Sequence, residues 1–435
     1  MTHELPCALV AAPEAEAARR ELDRAGYLAV RPRAFKAPDG RVALPLTGAG
    51  GSALQDEATR AALQCGAALE LANLPSAGRV DGDLHARTHR RALRALEAAG
   101  VSPAEARAAL PASALPRRWE KLGDVVLFSP QGCFADGSAV GALAAPAQQA
   151  LWASVARSLG AARLGVQGRI AQDLVVPAES ALLQRERAGV LHRKSGARLL
   201  WPEGAGGWTE QRENGVVYGL DVCRSMFSSG NGTEKMRVAA RNCDGETVVD
   251  LYAGIGYFTL PYLVHAKAAH VHACEWDEDA LAALDHNLRA NGVANRCTVH
   301  AGDNARPETV RAYAGAAHRV NLGLIPSSEA GWPVGVAALR PEGGWLHVHA
   351  NVGASDAEEA AWCEALLRAL RQLAADAGRE WTVLRVVHLE RVKWYAPKIR
   401  HCVADVWCGS HEPSSASGGS NEPDAVEYCT VAIHV

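Results

Sequence analysis

The sequence lacks most of the features that mark secreted, membrane-bound or metal-binding proteins. It contains no C-x-x-C and no H-E-x-x-H motif, and its eleven cysteines are odd in number and scattered. Neither a disulfide framework nor a zinc site is therefore expected. The N-terminus shows no signal-peptide pattern, and the longest apolar run, around residues 247–264, is interrupted by Asp250 and by glycine and proline. We expect a soluble, cytoplasmic protein without a metal.

Lysine is scarce as well, since the 45 basic residues comprise seven lysines and 38 arginines. Against 48 acidic residues they leave a net charge of −3. This balance excludes an overall basic coat of the kind found on histones, although it does not exclude a local basic face. Together with the high alanine content, the arginine excess is typical of a GC-rich genome, so by itself it indicates no function.

The length of 435 residues is too great for one compact core and predicts two or three domains, at about 150 residues each. Residues 1–115 are alanine-rich with helical periodicity, which predicts a helical N-terminal region with a possible tRNA contact through the arginines of helix 87–99. Residues 116–222 mix short strands and helices and predict a small α+β domain. Residues 409–435, rich in Ser, Gly, Pro and Glu, predict a flexible tail.

Residues 223–408 carry the clearest fold signal, because apolar strand segments alternate there with helical ones. Strands are predicted at 247–253, 270–275, 297–303, 319–325 and 343–352. This β-α-β order predicts an α/β domain with a doubly wound, Rossmann-like, mainly parallel sheet. Two further strands, at 382–392 and 402–408, are predicted to close the sheet as an antiparallel pair.

The stretch VVDLYAGIGYFTLPYL, residues 248–263, is the strongest local motif. A strand ends at Asp250, Gly254 and Gly256 follow, and then a helix begins. Glycine permits the tight turn and close approach of a ligand to the backbone. The third glycine of the dinucleotide pattern is absent, because Thr259 occupies its place. The next strand ends in Glu275, 25 residues after Asp250, where an acid is placed to bind both ribose hydroxyls.

The third strand of the sheet also ends in polar residues, Asp303 and Asn304. An acid and an amide at that position can bind the edge of an adenine ring. Three consecutive strand ends with fitting polar groups predict a nucleoside pocket at the carboxyl edge of the sheet. The pattern resembles the class I S-adenosylmethionine-dependent transferases, in which carboxylates such as Asp250 suit the cationic ligand.

The fourth strand end separates transfer chemistries. Many methyltransferases that act on nitrogen carry Asn-Pro-Pro-Tyr or a similar N-x-P motif there. This chain has NLGLIPSS, residues 321–328, in which Asn321 and Pro326 are apart and no aromatic residue follows. Ordinary amine methylation is not supported by this segment, and Asn321 and Pro326 are kept as candidate substrate residues.

Longer blocks make the resemblance specific. CRSMFSSGNGTEKMRVA (223–239), HVHACEWDEDALAALDHNL, RVNLGLIPSSEAGWPV and ERVKWYAP (390–397) resemble the tRNA wybutosine-synthesizing protein 2 family. The resemblance covers residues 117–408 well and the first 115 only loosely. It implies transfer of the 3-amino-3-carboxypropyl group from S-adenosylmethionine to carbon 7 of 4-demethylwyosine, at position 37 of phenylalanine tRNA.

The same resemblance implies roles for particular residues. Ser228 and Lys235 are expected to bind the cofactor, with Lys235 against the methionine carboxylate. Glu275 is expected to hold the ribose and Asp303 with Asn304 the adenine. No residue stands out as a general base.

Contacts to tRNA are expected from basic residues near the same motifs. The candidates are Arg237, Arg391, Lys393 and Lys398, the last three within the basic and aromatic run ERVKWYAPKIR.

Two other functions remain open at this point. One is a tRNA guanosine-37 N1-methyltransferase, a related enzyme that usually carries a Phe-Ser-Pro motif where this chain has FSSG (227–230). The other is a tRNA-binding protein without catalysis. The oligomeric state is open as well.

Overall fold

The structure is a computed structural model that describes residues 84–168 and 195–412 continuously. Within the first 83 residues it describes 4–11, 14–25, 27, 35–36, 41–47, 52–56 and 70–75. The chain divides into two compact units, Met1–Arg90 and Arg91–Val435. Most of the predicted tail, residues 413–435, lies outside the described residues.

The first unit contains a four-stranded antiparallel sheet and a helix. The sheet has the order β2-β3-β1-β4, with β1 (Glu4–Val10), β2 (Phe35–Lys36), β3 (Val42–Pro45) and β4 (Glu70–Pro75). Helix α1 (Ala15–Arg24) packs Ala18 and Leu22 against this sheet. The expectation that residues 1–115 form a helical region was therefore wrong for the residues that form these four strands. Strand β1 contains Glu4, Pro6 and Ala8, three residue types that are depleted in strands, so its local sequence does not predict a strand.

The next part of the chain forms an α+β layer, which belongs to the second unit from Arg91 onward. Helices α2 (Leu84–Ala98), α3 (Pro103–Ala109) and α4 (Ala145–Ser158) accompany a sheet of β5 (Trp119–Leu122), β6 (Val125–Phe128), β7 (Arg163–Val166) and β8 (Arg198–Trp201). Leu96 and Leu110 share a core with Phe128 and Trp152. The predicted boundary at residue 115 therefore cuts through one core, and the larger unit begins at Arg91 instead.

A hairpin of β9 (Trp208–Glu213) and β10 (Val216–Asp221) comes next. Asn214 and Gly215 form its two-residue turn, both with positive φ, at 47° and 77°. The Asn287 side chain binds both backbone groups of Gly219, accepting from its N–H at 2.6 Å and donating to its carbonyl at 3.0 Å. These bonds attach the hairpin to the following domain. The predicted boundary at residue 222 therefore separates the hairpin from the domain to which it is bonded.

The predicted Rossmann-like sheet is confirmed. Its seven strands have the order β13-β12-β11-β14-β15-β17-β16. They are β11 (Thr247–Asp250), β12 (His270–Glu275), β13 (Cys297–Ala301), β14 (Arg319–Leu322), β15 (Gly343–Gly353), β16 (Val383–Ala396) and β17 (Ile399–Gly409). The first five are parallel, and β17 and β16 close the sheet as the predicted antiparallel pair.

Helices cover both faces of this sheet. They are α5 (Gly232–Ala239), α6 (Thr259–Val264), α7 (Glu278–Ala290), α8 (Pro307–Tyr313), α9 (Trp332–Ala338) and α10 (Asp356–Asp376). Local signals set their starts: Asp277 caps α7 by accepting from Ala280 N–H at 2.9 Å, and Ser355 forms a capping box with Glu358 on α10. Because β11, β12 and β13 are adjacent and parallel, their carboxyl ends meet at one edge.

Candidate cofactor and substrate site

The turn after β11 needs its two glycines. Gly254 has φ +55° and Gly256 has φ +98°, both in the region that side chains disfavour. A Cβ on Gly254 would lie 2.8 Å from the ring of Tyr257, and one on Gly256 would lie 3.0 Å from Leu260. The turn therefore brings bare backbone to the sheet edge, as the sequence predicted.

Glu275 is held at this edge by backbone donors. One carboxylate oxygen accepts from Gly254 N–H at 2.7 Å, and the other accepts from Trp276 and Asp277 N–H at 2.8 and 2.9 Å. Burial raises the pKa of Glu275, while these three N–H groups favour its charged form. A carboxylate has about four acceptor positions, so one remains for a ligand hydroxyl.

The third strand end meets the first two. Gly302 N–H donates to the carbonyl of Glu275 at 2.8 Å, and the Asn304 amide donates to the carbonyl of Leu251 at 2.7 Å. Asp303 is exposed, and one of its carboxylate oxygens accepts from Ala305 N–H at 2.9 Å. The structure thus brings Asp303 and Asn304 to the same edge as Gly254 and Glu275.

Asp250 and Asn321 lie below the surface of the sheet edge. Both side chains are completely buried. Asp250 accepts from the Thr259 hydroxyl at 2.8 Å and from the Asn321 amide at 3.0 Å, and burial raises its pKa. The pair joins β11, β14 and helix α6 beneath the edge. Through these bonds the two side chains support the backbone below the sheet edge, and their predicted contacts with ligand and tRNA stay predictions.

Lys235 lies in an aromatic cage on helix α5. Its side chain is 5% exposed and forms an ion pair with Glu213 at the end of β9. Its ammonium group lies 4.7 Å from the ring centre of Phe227, 5.1 Å from that of Tyr218 and 5.9 Å from that of Tyr257. Tyr257 also packs on Gly254, so the cage borders the glycine turn. Sequence reasoning missed Glu213 and Tyr218, because nothing in the hairpin marks them.

Ser228 comes just before the short 3-10 turn Ser229–Asn231, which leads into α5. It is half-buried, and its hydroxyl makes no capping hydrogen bond. Its predicted role in cofactor binding stays a prediction.

Two of the four predicted tRNA-binding cations form ion pairs with carboxylates of the protein, the partly buried Arg237 and the exposed Arg391. Arg237 binds Glu234 and Asp405, and Arg391 binds Glu359 through bonds of 2.6 and 2.9 Å. Burial disfavours the charge on Asp405, but the guanidinium groups of Arg241 and Arg237 outweigh it and hold the pKa of Asp405 well below its usual value. Both arginines neutralise buried carboxylates, and their predicted contacts with phosphate stay predictions.

The other predicted tRNA residues lie near the surface. Lys398 is exposed in the turn between β16 and β17, with φ +62°. Trp394 and Tyr395, beside that turn, are 61% and 53% exposed, and the Arg400 guanidinium lies 4.5 Å from the Trp394 ring. Lys393 approaches Gly230 near the start of α5. We refer to residues 393–400 as the hairpin tip.

Pro326 is exposed in the loop after β14 and follows a cis peptide bond. Asn351 N–H donates to its carbonyl at 2.8 Å, so the loop crosses the end of β15. Its predicted role toward substrate stays a prediction.

Two absences concern only the described part of the chain. No cluster of three or more His, Cys, Asp or Glu side chains there is arranged to hold a metal. No helix among those residues has the length and apolar character needed to cross a bilayer.

Known proteins share this arrangement. Residues 209–382 match the family model described as TRM5/TYW2 methyltransferase domain. The tRNA wybutosine-synthesizing protein 2 homolog of Danio rerio is 42% identical over 323 residues, which cover 68% of this chain and 72% of that protein. The chain belongs to the tRNA wybutosine-synthesizing protein 2 family.

Other members are longer. The Arabidopsis thaliana protein named tRNA wybutosine-synthesizing protein 2/3/4 is 46% identical over 294 residues, and the match covers 68% of this chain but only 26% of that protein. A solved structure described as P. horikoshii TYW2 in complex with MeSAdo has a TM-score of 0.53 and 24% identity, covering 74% of this chain and all of that one. This likeness confirms the class I S-adenosylmethionine-dependent transferase fold.

Proposed function

We propose that this chain is an S-adenosylmethionine-dependent tRNA aminocarboxypropyltransferase. It transfers the 3-amino-3-carboxypropyl group to carbon 7 of 4-demethylwyosine at position 37 of phenylalanine tRNA, in wybutosine biosynthesis. The observation that carries the proposal is the 42% identity to the zebrafish family member over 72% of its length. The family-model match, residues 209–382, includes the glycine turn and the strand ends at Glu275 and Asp303, which support the proposal.

The sheet edge fits the nucleoside half of S-adenosylmethionine. Glu275 keeps acceptor capacity for a ribose hydroxyl after binding three backbone N–H groups. Gly254 presents backbone without a side chain where a Cβ would clash. Trp276, 44% exposed beside Glu275, offers an aromatic face, and Asp303 and Asn304 lie at the next strand end.

The methionine half is assigned to the other side of the glycine turn. Lys235 supplies a point charge for the carboxylate, and the cage excludes water from it, which strengthens that attraction. In this structure the ammonium group of Lys235 forms an ion pair with Glu213. The incoming carboxylate therefore either displaces Glu213 or shares Lys235 with it. Ser228, at the start of the same segment, is the second proposed contact.

The chemistry is a substitution at carbon beside a sulfonium. A bond forms between carbon 7 of the acceptor and the methylene carbon of the methionine arm, the bond from that carbon to sulfur breaks, and sulfur keeps the electron pair. Methylthioadenosine leaves, and the acceptor carbon loses its proton to solvent water. The sulfonium activates three carbons alike, so the transferred group is the one that is oriented toward the acceptor. No general base is assigned.

The acceptor base belongs to a single-stranded anticodon loop, where a base can be splayed out and stacked. The hairpin tip combines exposed Trp394 and Tyr395 with Lys398, which is the composition of surfaces that bind unpaired RNA. We assign this tip to the tRNA, together with Lys393 and the exposed loop at Pro326.

The test uses S-adenosylmethionine labelled in turn on the methyl carbon and on the aminocarboxypropyl carbons, incubated with tRNA that contains 4-demethylwyosine. Label is expected in tRNA only from the aminocarboxypropyl group. Label only from the methyl would show a methyltransferase, and label from neither, with tRNA still bound, would show a binding protein. Either of these results would overturn the proposal.

A further inference from the structure

A groove whose charged lining residues are all arginines lies between helices α2 and α4 of the larger unit, and it shares no residue with the proposed cofactor site. It has a volume of about 390 Å³. We call it the arginine groove. Its lining consists of Arg91, Arg94, Ala95, Ser154, Arg157 and Ser158.

The groove is fixed by the packing of its two helices. On α2, Ala92 and Leu96 are completely buried, and on α4 so are Leu151 and Val155, all in one hydrophobic core. Helical periodicity then sets Arg91 and Arg94 on the shoulder of α2, three residues apart. Ser154, Arg157 and Ser158 follow the same spacing on α4. The walls are therefore rigid helices, and little ordering of the backbone is needed when a ligand binds.

The three arginines are exposed, and no carboxylate lines the groove. Among the residues that the structure describes, none of these arginines takes part in an ion pair, whereas Arg163, Arg237, Arg319 and Arg391 all do. Arg157 in the last turn of α4 is favoured by the helix dipole, which accounts for one cation but not for three around one groove. Like charges at this spacing repel unless an anion lies between them.

The chemistry of the lining specifies the anion. Guanidinium forks match phosphate oxygens in pairs, and serine hydroxyls donate single hydrogen bonds to the same oxygens. The groove offers no aromatic face and no acceptor array for reading a base. We infer that the arginine groove binds the sugar–phosphate backbone of the RNA substrate and so fixes tRNA on the enzyme independently of the modified base. This inference rests on the proposed function, which supplies the RNA.

The test measures tRNA affinity against salt. A triple variant, Arg91→Gln with Arg94→Gln and Arg157→Gln, is titrated with phenylalanine tRNA transcript from about 0.05 to 0.3 M salt. The slope of log affinity against log salt is negative, and each lost phosphate contact reduces its magnitude by roughly 0.7–0.9. For three lost contacts we expect the magnitude of the slope to decrease by about two to three. At about 0.15 M salt the affinity should fall roughly ten- to hundredfold.

A matched control removes the same charge elsewhere. Arg289→Gln, Arg311→Gln and Arg368→Gln lie on α7, α8 and α10 at exposed positions and should change tRNA affinity less than twofold. Arg→Lys at the three groove positions keeps the charge and should keep most of the slope. If the triple variant melts early, the three single substitutions replace it, each expected to lower the slope by about one.

An unchanged slope in the groove variant, or an equal loss in the control, would overturn the inference. The failure of the proposed function is separately visible, because the wild type would then transfer no aminocarboxypropyl label. The groove variant should keep wild-type affinity for S-adenosylmethionine and, at saturating tRNA, near wild-type turnover. Loss of cofactor affinity in that variant would also contradict a role confined to the RNA backbone.

Discussion

Replacing Glu275 with alanine tests the ribose assignment. The carboxylate is anchored by N–H groups of Gly254, Trp276 and Asp277 at 2.7–2.9 Å, with one acceptor position left. A hydrogen bond between a hydroxyl and a charged carboxylate contributes about 1.5–3 kcal/mol. The dissociation constant for S-adenosylmethionine should therefore rise by roughly 10- to 150-fold. Isothermal titration calorimetry measures it directly.

The choice of ligands sharpens this experiment. Methylthioadenosine keeps the ribose and lacks the methionine arm, so Glu275→Ala should weaken both ligands by a similar factor. Asp277→Ala provides a control, because it removes the cap of α7 without touching the ribose position. It should cost about 1 kcal/mol of stability and less than twofold in affinity. Unchanged affinity of Glu275→Ala for both ligands would refute the assignment, and an equal loss in Asp277→Ala would indicate collapse of the loop instead.

Three further predictions follow from the same geometry. Lys235→Met combined with Glu213→Gln, which avoids a stranded carboxylate, should weaken S-adenosylmethionine at least tenfold and leave methylthioadenosine within twofold by calorimetry; equal weakening of both ligands would remove Lys235 from the carboxylate. Gly254→Ala should reduce cofactor binding at least tenfold, because its φ is +55° and the added Cβ meets the Tyr257 ring at 2.8 Å; wild-type binding would contradict the tight turn. Burial lowers the pKa of His347 from 6.5 to about 3, so between these values only the unfolded state gains the proton, and the contribution of His347 to stability should fall by about 1.6 kcal/mol from pH 6.5 to pH 5; urea titrations should show a smaller decrease in His347→Gln, and an identical pH dependence in that variant would contradict the lowered pKa.

The cofactor sheet was predictable because its signals are local. Apolar strand segments end in Asp250 and Glu275, and parallel strands necessarily bring such ends to one edge. The glycine turn was predictable for the same reason. The strands of the first unit were not, because β1 contains residue types that are depleted in strands, among them Pro6, which is paired on one side only, with Asn73 of β4.

Residue roles that depend on distant partners were the hardest to predict. Arg237 meets Asp405 across 168 positions of sequence, and Lys235 meets Glu213 across 22. A single sequence does not show which exposed-looking cation will neutralise a buried acid. Asp250 depends on distant partners in the same way: an acid at a strand end indicates the pocket, but only the structure shows its bonds to Thr259 and Asn321.

The identity of the released nucleoside tests the central claim most directly. In a single turnover with tRNA that contains 4-demethylwyosine, transfer of the aminocarboxypropyl group must release one methylthioadenosine per modified tRNA. Methyl transfer must release S-adenosylhomocysteine instead. Chromatography of the quenched reaction distinguishes the two. We expect methylthioadenosine in a one-to-one ratio with modified tRNA, and S-adenosylhomocysteine in that ratio would contradict the account.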